Sequence, residues 1–333
     1  MSPHPAGSML GLGVLDPDLE ARLVAGMASV EVGLRDAIRS DYPFVTEASR
    51  HLVDAGGKRF RPLLVLLAAQ FGDSQAPGVV PSAVVVELTH LATLYHDDVM
   101  DEAALRRGAA SANARWDNTV AILTGDFLFA KASDILADLG PDAVRIQAQT
   151  FERLCTGQIR ETVGPDAGAD PVAHHLQVLA DKTGSLIATS GRFGAMMSGA
   201  DPRIVDSMTA FGEQIGVAFQ LADDIVDIVS ETTDSGKTPG TDLREGVPTL
   251  TALIALSHDS DPRLRDLLSR PLLDDADHAE ALDRLRGHEA LEIARAEARR
   301  WADGARDLLA DLPEGSPREA LSTLCDYVVT RTG

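Results

Sequence analysis

Six aspartates in two matched groups are the residues of this chain whose type and spacing point most directly to chemistry. Asp97, Asp98 and Asp101 lie in the stretch Val84 to Gly108, VVVELTHLATLYHDDVMDEAALRRG, after a mostly apolar run ending at Tyr95. On a helix, residues four apart share a face, so Asp97 and Asp101 stand one turn apart with Asp98 beside them. Three carboxylates at the end of an apolar helix repel one another and are costly to desolvate. A hard divalent cation removes both costs, and Mg²⁺ is typically held by one or two carboxylates plus substrate phosphates. Alone, the motif also reads as a solvated acidic helix end, since aspartate is mostly exposed. The second group shifts that balance. Asp223, Asp224 and Asp227 recur 126 residues later (97 to 223) with the same spacing, in FQLADDIVD, after the helix-forming run Phe211 to Leu221. Two such helix ends facing each other across a cavity would hold a cluster of metal ions with a diphosphate between them.

Basic residues accompany both groups. Arg106 and Arg107 follow the first. The chain has only four lysines, Lys58, Lys131, Lys182 and Lys237, and three of them read as polar turns: GGKR, DKTG and SGKTPG. Lysine is a compact point charge suited to a phosphate oxygen. In Lys58-Arg59-Phe60-Arg61-Pro62, Pro62 is placed for the first turn of a helix. Lys58 and Arg61 then stand near its N-terminus, where cations suit the dipole poorly unless they serve an anion. His90 lies seven residues before Asp97, two turns back on nearly the same face.

The elements that must position these residues are helical. Asp16 to about Ser40 carries apolar positions at helical spacing, and Tyr42-Pro43 breaks it. A helix from about Val45 ends at the pair Gly56-Gly57. Gly78 to Pro81 opens the helix of the first acidic group. Ser111 to Gly140 forms one helical region interrupted near Gly125-Asp126, and Pro141 to Val163 another. A long helical stretch through Lys182-Thr183 reaches Met197, and Asp201-Pro202 starts the helix of the second acidic group. The segment Ser230 to Pro248 is polar and turn-rich, suited to a lid carrying Lys237. Only Val79 to Val86 competes as a strand. The fold class is all-α. No composition shift marks a boundary, so residues 16–333 read as one domain behind a disordered lead-in, residues 1–15, rich in Pro, Gly and Ser.

Composition narrows the function classes. Hydrophobic residues make up 44% of the 333, ample for a core. The net charge of −21 argues against nucleic-acid or anionic-membrane binding by the bulk surface. Cys155 and Cys325 are the only cysteines, which fits a reduced, cytoplasmic protein. The first twenty residues lack the basic start and apolar core of a signal peptide, and no uncharged run of about 18 apolar residues offers a transmembrane span.

Together GGKRFRP, HDDVMDEAALRRG, DKTG, FQLADDIVD and GKTPGTDLREGVPTL closely resemble the trans-polyprenyl diphosphate synthases, in order and spacing, from about residue 16 to 331. The resemblance implies an all-α helical bundle around a central cavity, usually a homodimer, and head-to-tail 1'-4 condensation of isopentenyl diphosphate onto an allylic diphosphate. It makes Asp97, Asp98 and Asp101 the first Mg²⁺-binding motif and Asp223, Asp224 and Asp227 the second, together holding three Mg²⁺ ions on the allylic diphosphate. Arg106, Lys182 and Lys237 match positions that add positive charge there; Lys58, Arg61, His90 and Arg107 match those that hold isopentenyl diphosphate. Thr183 and Gln220 match residues that steady the carbocation or substrate. One departure is Val247, where many members carry a further lysine.

In that family a bulky aromatic four or five residues before the first aspartate stops growth at fifteen carbons; here those positions hold Thr93 and Ala92, with Thr89 a turn deeper and Val85 and Val86 beyond. The tunnel floor therefore reads as open and the product as longer than farnesyl diphosphate, such as a quinone side-chain precursor, unless Phe127, Phe129 or another helix closes it. Competing assignments are a geranylgeranyl diphosphate synthase, a subunit of a heteromeric synthase, a class I terpene cyclase and a head-to-head coupling enzyme. DDIVD disfavours the cyclase, and GGKRFRP with the lysine loop disfavours head-to-head coupling. Intact motifs disfavour a non-catalytic subunit.

Overall fold

A computed structural model describes residues 16–230, 239–258 and 261–330. Apart from one two-residue hairpin, Leu105–Arg106 paired with Ala109–Ala110, the regular structure of these residues is helical. In chain order the helices are α1 (Pro17–Ala37), α2 (Pro43–Asp54), α3 (Phe60–Ala68), α4 (Val79–Met100), α5 (Ala112–Arg115), α6 (Asn118–Leu139), α7 (Pro141–Val163) and α8 (Pro171–Leu179). They continue as α9 (Ser185–Met197), α10 (Pro202–Val229), α11 (Thr241–Glu245), α12 (Leu250–His258), α13 (Pro262–Leu268), α14 (Asp275–Arg286), α15 (Glu289–Leu308) and α16 (Ser316–Thr330). The Val79–Val86 run is the start of α4. The expected lead-in, residues 1–15, lies outside the described residues.

Local chemistry sets most boundaries. Asp16, Asp117, Asp170 and Asp261 each accept a backbone N–H from the helix that follows, satisfying a donor otherwise orphaned at the first turn. Prolines 17, 43, 171 and 262 occupy the first turns of their helices, where the missing N–H costs nothing. The expected break near Gly125-Asp126 is absent: α6 runs through both, and the interruption falls at Trp116-Asp117, where Asp117 caps α6. Gly125 instead allows close approach, because a Cβ there would collide with the His96 ring of α4.

The described residues fall into two compact units, each assembled from separate stretches of chain. The first comprises those of Met1–Phe151, Leu186–Gly212 and Asp311–Thr323; the second those of Glu152–Ser185, Glu213–Ala310 and Leu324–Gly333. In the first unit the fully buried side chains include Leu19, Leu23, Leu52, Leu64, Tyr95 and Phe193. Each contributes about 1.5–3 kcal/mol on burial. Tyr95 also ties α4 to α2, donating to the Ala48 carbonyl at 2.6 Å and accepting from the Leu52 N–H at 3.2 Å. The second unit has its own core, with Val217, Leu221, Ile225 and Ile228 of α10 packed among Leu243, Leu250, Leu267, Leu285 and Leu291.

DKTG is not a polar turn. Residues Ala180–Gly184 form a π-helical turn joining α8 to α9 without a break. Asp181 is buried there and is held by Arg153 at 2.9 Å, by Gln177 at 3.0 Å and by Arg160. A wider turn displaces side chains from the regular helical register, a distortion common at functional sites.

Candidate active site

In the first unit, α2 ends at Asp54 with Ala55 as its cap, the chain turns at Gly56, whose φ of +83° suits glycine, and it reaches α3 through Gly57, Lys58 and Arg59. Arg59, itself left-handed at φ 50°, is buried and doubly paired: Nε to Glu31 at 2.6 Å and Nη1 to Glu87 at 2.8 Å. It also donates to the Val53 carbonyl at 2.9 Å. This arginine fastens α1, α4 and the loop together. Its neighbours differ. Arg61 Nε is buried without a hydrogen-bond partner, and burial, with Arg107 nearby, brings its guanidinium down to about 10 despite Glu87. Arg107 is held in place by the Leu52 and Gly56 carbonyls. His90 is pushed well below its usual range by burial and then by the charges of Arg61, Arg107, Arg59 and Arg106. A neutral imidazole facing that much positive charge is an electrostatic cradle for an anion. Lys58 stands exposed at its edge.

The first aspartate group sits at the C-terminus of α4, with Asp101 as the capping residue, its N–H bonded to the Asp97 carbonyl. Asp98 is fully buried; its Oδ1 accepts from Arg106 Nε at 2.5 Å, and Arg106 also approaches Asp101 at 3.7 Å. Arg106 is therefore committed to the aspartates. Asp98 Oδ2 is buried without a hydrogen-bond partner, and burial raises the carboxyl above its ordinary value although Arg106 opposes the shift. An orphaned buried carboxylate oxygen beside two further carboxylates fits a hard cation. Among the described residues no three His, Cys, Asp or Glu side chains enclose a ready-made metal cage.

In the second unit, α10 carries the second group near its C-terminus. Asp224 is buried, and its Oδ1 accepts from Gln220 Nε2 at 3.0 Å. Gln220 Oε1 in turn accepts from Thr183 Oγ1 at 3.3 Å, linking α10 to the π-helical turn. Asp227 Oδ2 accepts from the Asp242 N–H at 3.3 Å, and Asp223 is half-buried. Lys182, on the same turn as Thr183, pairs with Glu161 at 2.5 Å. Lys237 lies outside the described residues. Within this unit Thr183, Gln220 and Asp224 come together as one chain of hydrogen bonds.

The polyprenyl synthetase family model matches residues 42–285, a span that includes both aspartate groups and the GGKRFRP segment. The chain belongs to the polyprenyl synthetase family. It is a prenyltransferase of isoprenoid biosynthesis, a polyprenyl diphosphate synthase. It is 49% identical over 333 residues to a nonaprenyl diphosphate synthase of Mycobacterium tuberculosis, covering 99% of each chain. It is 38% identical over 308 residues to heptaprenyl diphosphate synthase component 2 of Geobacillus stearothermophilus, covering 92% of this chain and 95% of that one. Its structure matches that of geranylgeranyl pyrophosphate synthase from Corynebacterium glutamicum, complexed with calcium and isoprenyl diphosphate, with TM-score 0.85 at 47% identity over 96% of this chain and 98% of that one.

In this synthase the residues before the first motif are small and packed within the helix bundle of the first unit. Ala92, Thr89, Val85 and Val86 are fully buried, and Thr93 is half-buried. Thr89 Oγ1 accepts from Gln147 Nε2 of α7 at 2.8 Å, so a polar contact covers the position a turn below Thr93. No local pattern marks Gln147, Arg59 with Glu31 and Glu87, or the Arg153–Asp181 clamp. Each is a pairing across 28 or more residues. Within KRFR, only the packed structure separates the arginine spent on carboxylates from the one facing the cradle.

Proposed function

We propose that this synthase joins isopentenyl diphosphate head-to-tail to an allylic diphosphate in a Mg²⁺-dependent reaction, with a product longer than fifteen carbons. Asp97, Asp98, Asp101, Asp223, Asp224 and Asp227 would hold the magnesium ions, three per active site. When bound, the ions supply Lewis acidity that offsets charge on the leaving diphosphate. The cradle of Arg61, His90 and Arg107, with Lys58 at its rim, binds the diphosphate of isopentenyl diphosphate and orients its double bond. Arg106 sets the plane of Asp98. Lys182 and Lys237 add charge near the allylic diphosphate, while Thr183 and Gln220 steady the carbocation. The allylic C–O bond breaks, the isopentenyl double bond attacks the resulting cation, and the proton released passes to the departing diphosphate.

The observation that carries this reading is the orphaned Asp98 oxygen on α4, with His90 two turns before it on the same helix beside Arg61, whose Nε is likewise buried without a partner. The small residues Ala92 and Thr93 and the name of the mycobacterial relative support the longer product; the corynebacterial relative marks the alternative, twenty carbons. The family model's span across residues of both units supports one functional domain. No helix among the described residues is long and apolar enough to cross a membrane; a cytoplasmic homodimer is proposed from the family resemblance. Label incorporation from isopentenyl diphosphate by the purified chain tests the reading. Activity should vanish with a chelator and return with Mg²⁺. Full activity in the chelator, or none from folded protein with Mg²⁺, would overturn it.

A further inference from the structure

His175 of α8 has no part in the chemistry above, yet its surroundings in the second unit are those of a working side chain. It is 8% exposed, and its Nε2 is buried without a hydrogen-bond partner, 3.7 Å from Asp224 Oδ2. That separation is too long for a hydrogen bond, but a shift of under about 1 Å would make one. The two oxygens of Asp224 are thus treated differently. Oδ1 is fixed by Gln220, itself bonded to Thr183, while Oδ2 has the imidazole before it. The ring cannot easily retreat: α8 is capped by Asp170, and Leu179, one turn on, is packed in the core with Leu176 against it. An apolar side chain would fill the same space without the penalty of burying an unpaired nitrogen.

We propose that His175 is a positioning residue for the second aspartate motif. Its Nε2–H donates to Asp224 Oδ2 when the carboxylate is drawn into place by metal and diphosphate, so that Gln220 and His175 together fix the carboxylate plane. Magnesium prefers oxygen ligands, which places the imidazole behind the carboxylate rather than on the metal. The inference rests on the reading of Asp224 as a metal ligand.

Mn²⁺ binding to the full chain in the presence of inorganic pyrophosphate, followed by electron paramagnetic resonance, tests it without turnover. Loss of a group that orients a ligand costs about 10- to 100-fold in metal affinity. His175→Phe should weaken Mn²⁺ binding by about that factor, and His175→Gln, which puts an N–H where Nε2 stood, should restore most of it. The half-saturating Mg²⁺ for turnover should move in parallel, with the KM for isopentenyl diphosphate unchanged. Mn²⁺ affinity of His175→Phe within about twofold of wild type would overturn the proposal, as would a Gln variant no better than Phe. If His175→Phe does not fold, His175→Gln against His175→Asn decides, since Asn reaches only the Nδ1 position: Gln alone near wild type supports the proposal, and equal behaviour of the two overturns it. Asp224→Asn separates the premise. Unchanged Mn²⁺ binding there sinks the metal reading itself, whereas weakened binding there with a normal His175→Phe sinks only the role of His175.

Discussion

Replacing Asp98 by asparagine should leave the fold intact and remove the activity. The side chain is fully buried, with one oxygen on Arg106 at 2.5 Å and the other unpartnered. Losing a charge-assisted hydrogen bond costs about 1.5–3 kcal/mol. Against that stands the desolvation of a carboxylate, which outweighs Arg106 here, because the carboxyl is raised above its ordinary value with burial as the largest cause. A raised acid pKa means that the ionised form is less favoured in the folded chain than in the unfolded one. Stability on this account falls as pH rises through the folded value, and neutral asparagine escapes that loss. The two effects have opposite sign and offset each other, so Asp98→Asn should melt within about 1 kcal/mol of wild type in metal-free buffer. Turnover with Mg²⁺ should fall by about 10²- to 10³-fold, the usual effect of removing one preorganised electrostatic group. Urea melts and initial-rate assays on the same preparation give both numbers. A variant destabilised by several kcal/mol that keeps full activity whenever folded would refute the reasoning and make Asp98 a structural acid.

Three further outcomes follow from the first unit. Arg59→Met should destabilise by about 3–5 kcal/mol, because Glu87, 2% exposed, is left buried and unpaired; Arg59→Met with Glu87→Leu should recover much of it, and equal melting of single and double variants would contradict this. For His90, held neutral by burial and arginine charge, the unfolded chain takes up a proton below about 6.5 that the folded chain refuses. Stability should therefore drop as pH falls below about 6.5, by up to about 1.4 kcal/mol per pH unit. His90→Gln should lessen that slope, and inorganic pyrophosphate should flatten it in wild type by offsetting the arginines; identical thermal melts of wild type and variant across this range would count against the cradle. Gln147 covers Thr89 about 12 Å along α4 from Asp97, so Gln147→Ala should lengthen the product and Gln147→Phe shorten it. Unchanged products in both would place the floor elsewhere.

Much of the fold is legible in local sequence. Aspartate caps, first-turn prolines and the glycines after α2 and α6 act within a few residues, and Pro141 to Val163 is a helix from end to end. The aspartate groups are legible for the same reason, since their spacing is helical. What local pattern cannot carry is the fate of a charge. Lys182 reads as a free cation in a turn, but it lies on a π-helical segment and meets Glu161, 21 residues away. Arg106 reads as a cation beside the diphosphate, and only the packed chain shows that its guanidinium also pairs with Asp98 and Asp101. Gly125 reads as a break because glycine weakens helices, yet close packing against His96 demands it. The two units leave no trace in composition, since both are built from similar amphipathic helices drawn from interleaved stretches.

The most direct test is to size the products made by the purified chain alone from labelled isopentenyl diphosphate and Mg²⁺, supplied separately with dimethylallyl, geranyl, farnesyl and geranylgeranyl diphosphate. Dephosphorylated products longer than fifteen carbons are expected. Products ending at fifteen would contradict the wall formed by Ala92 and Thr93, and no elongation from any primer by folded protein would contradict a stand-alone synthase.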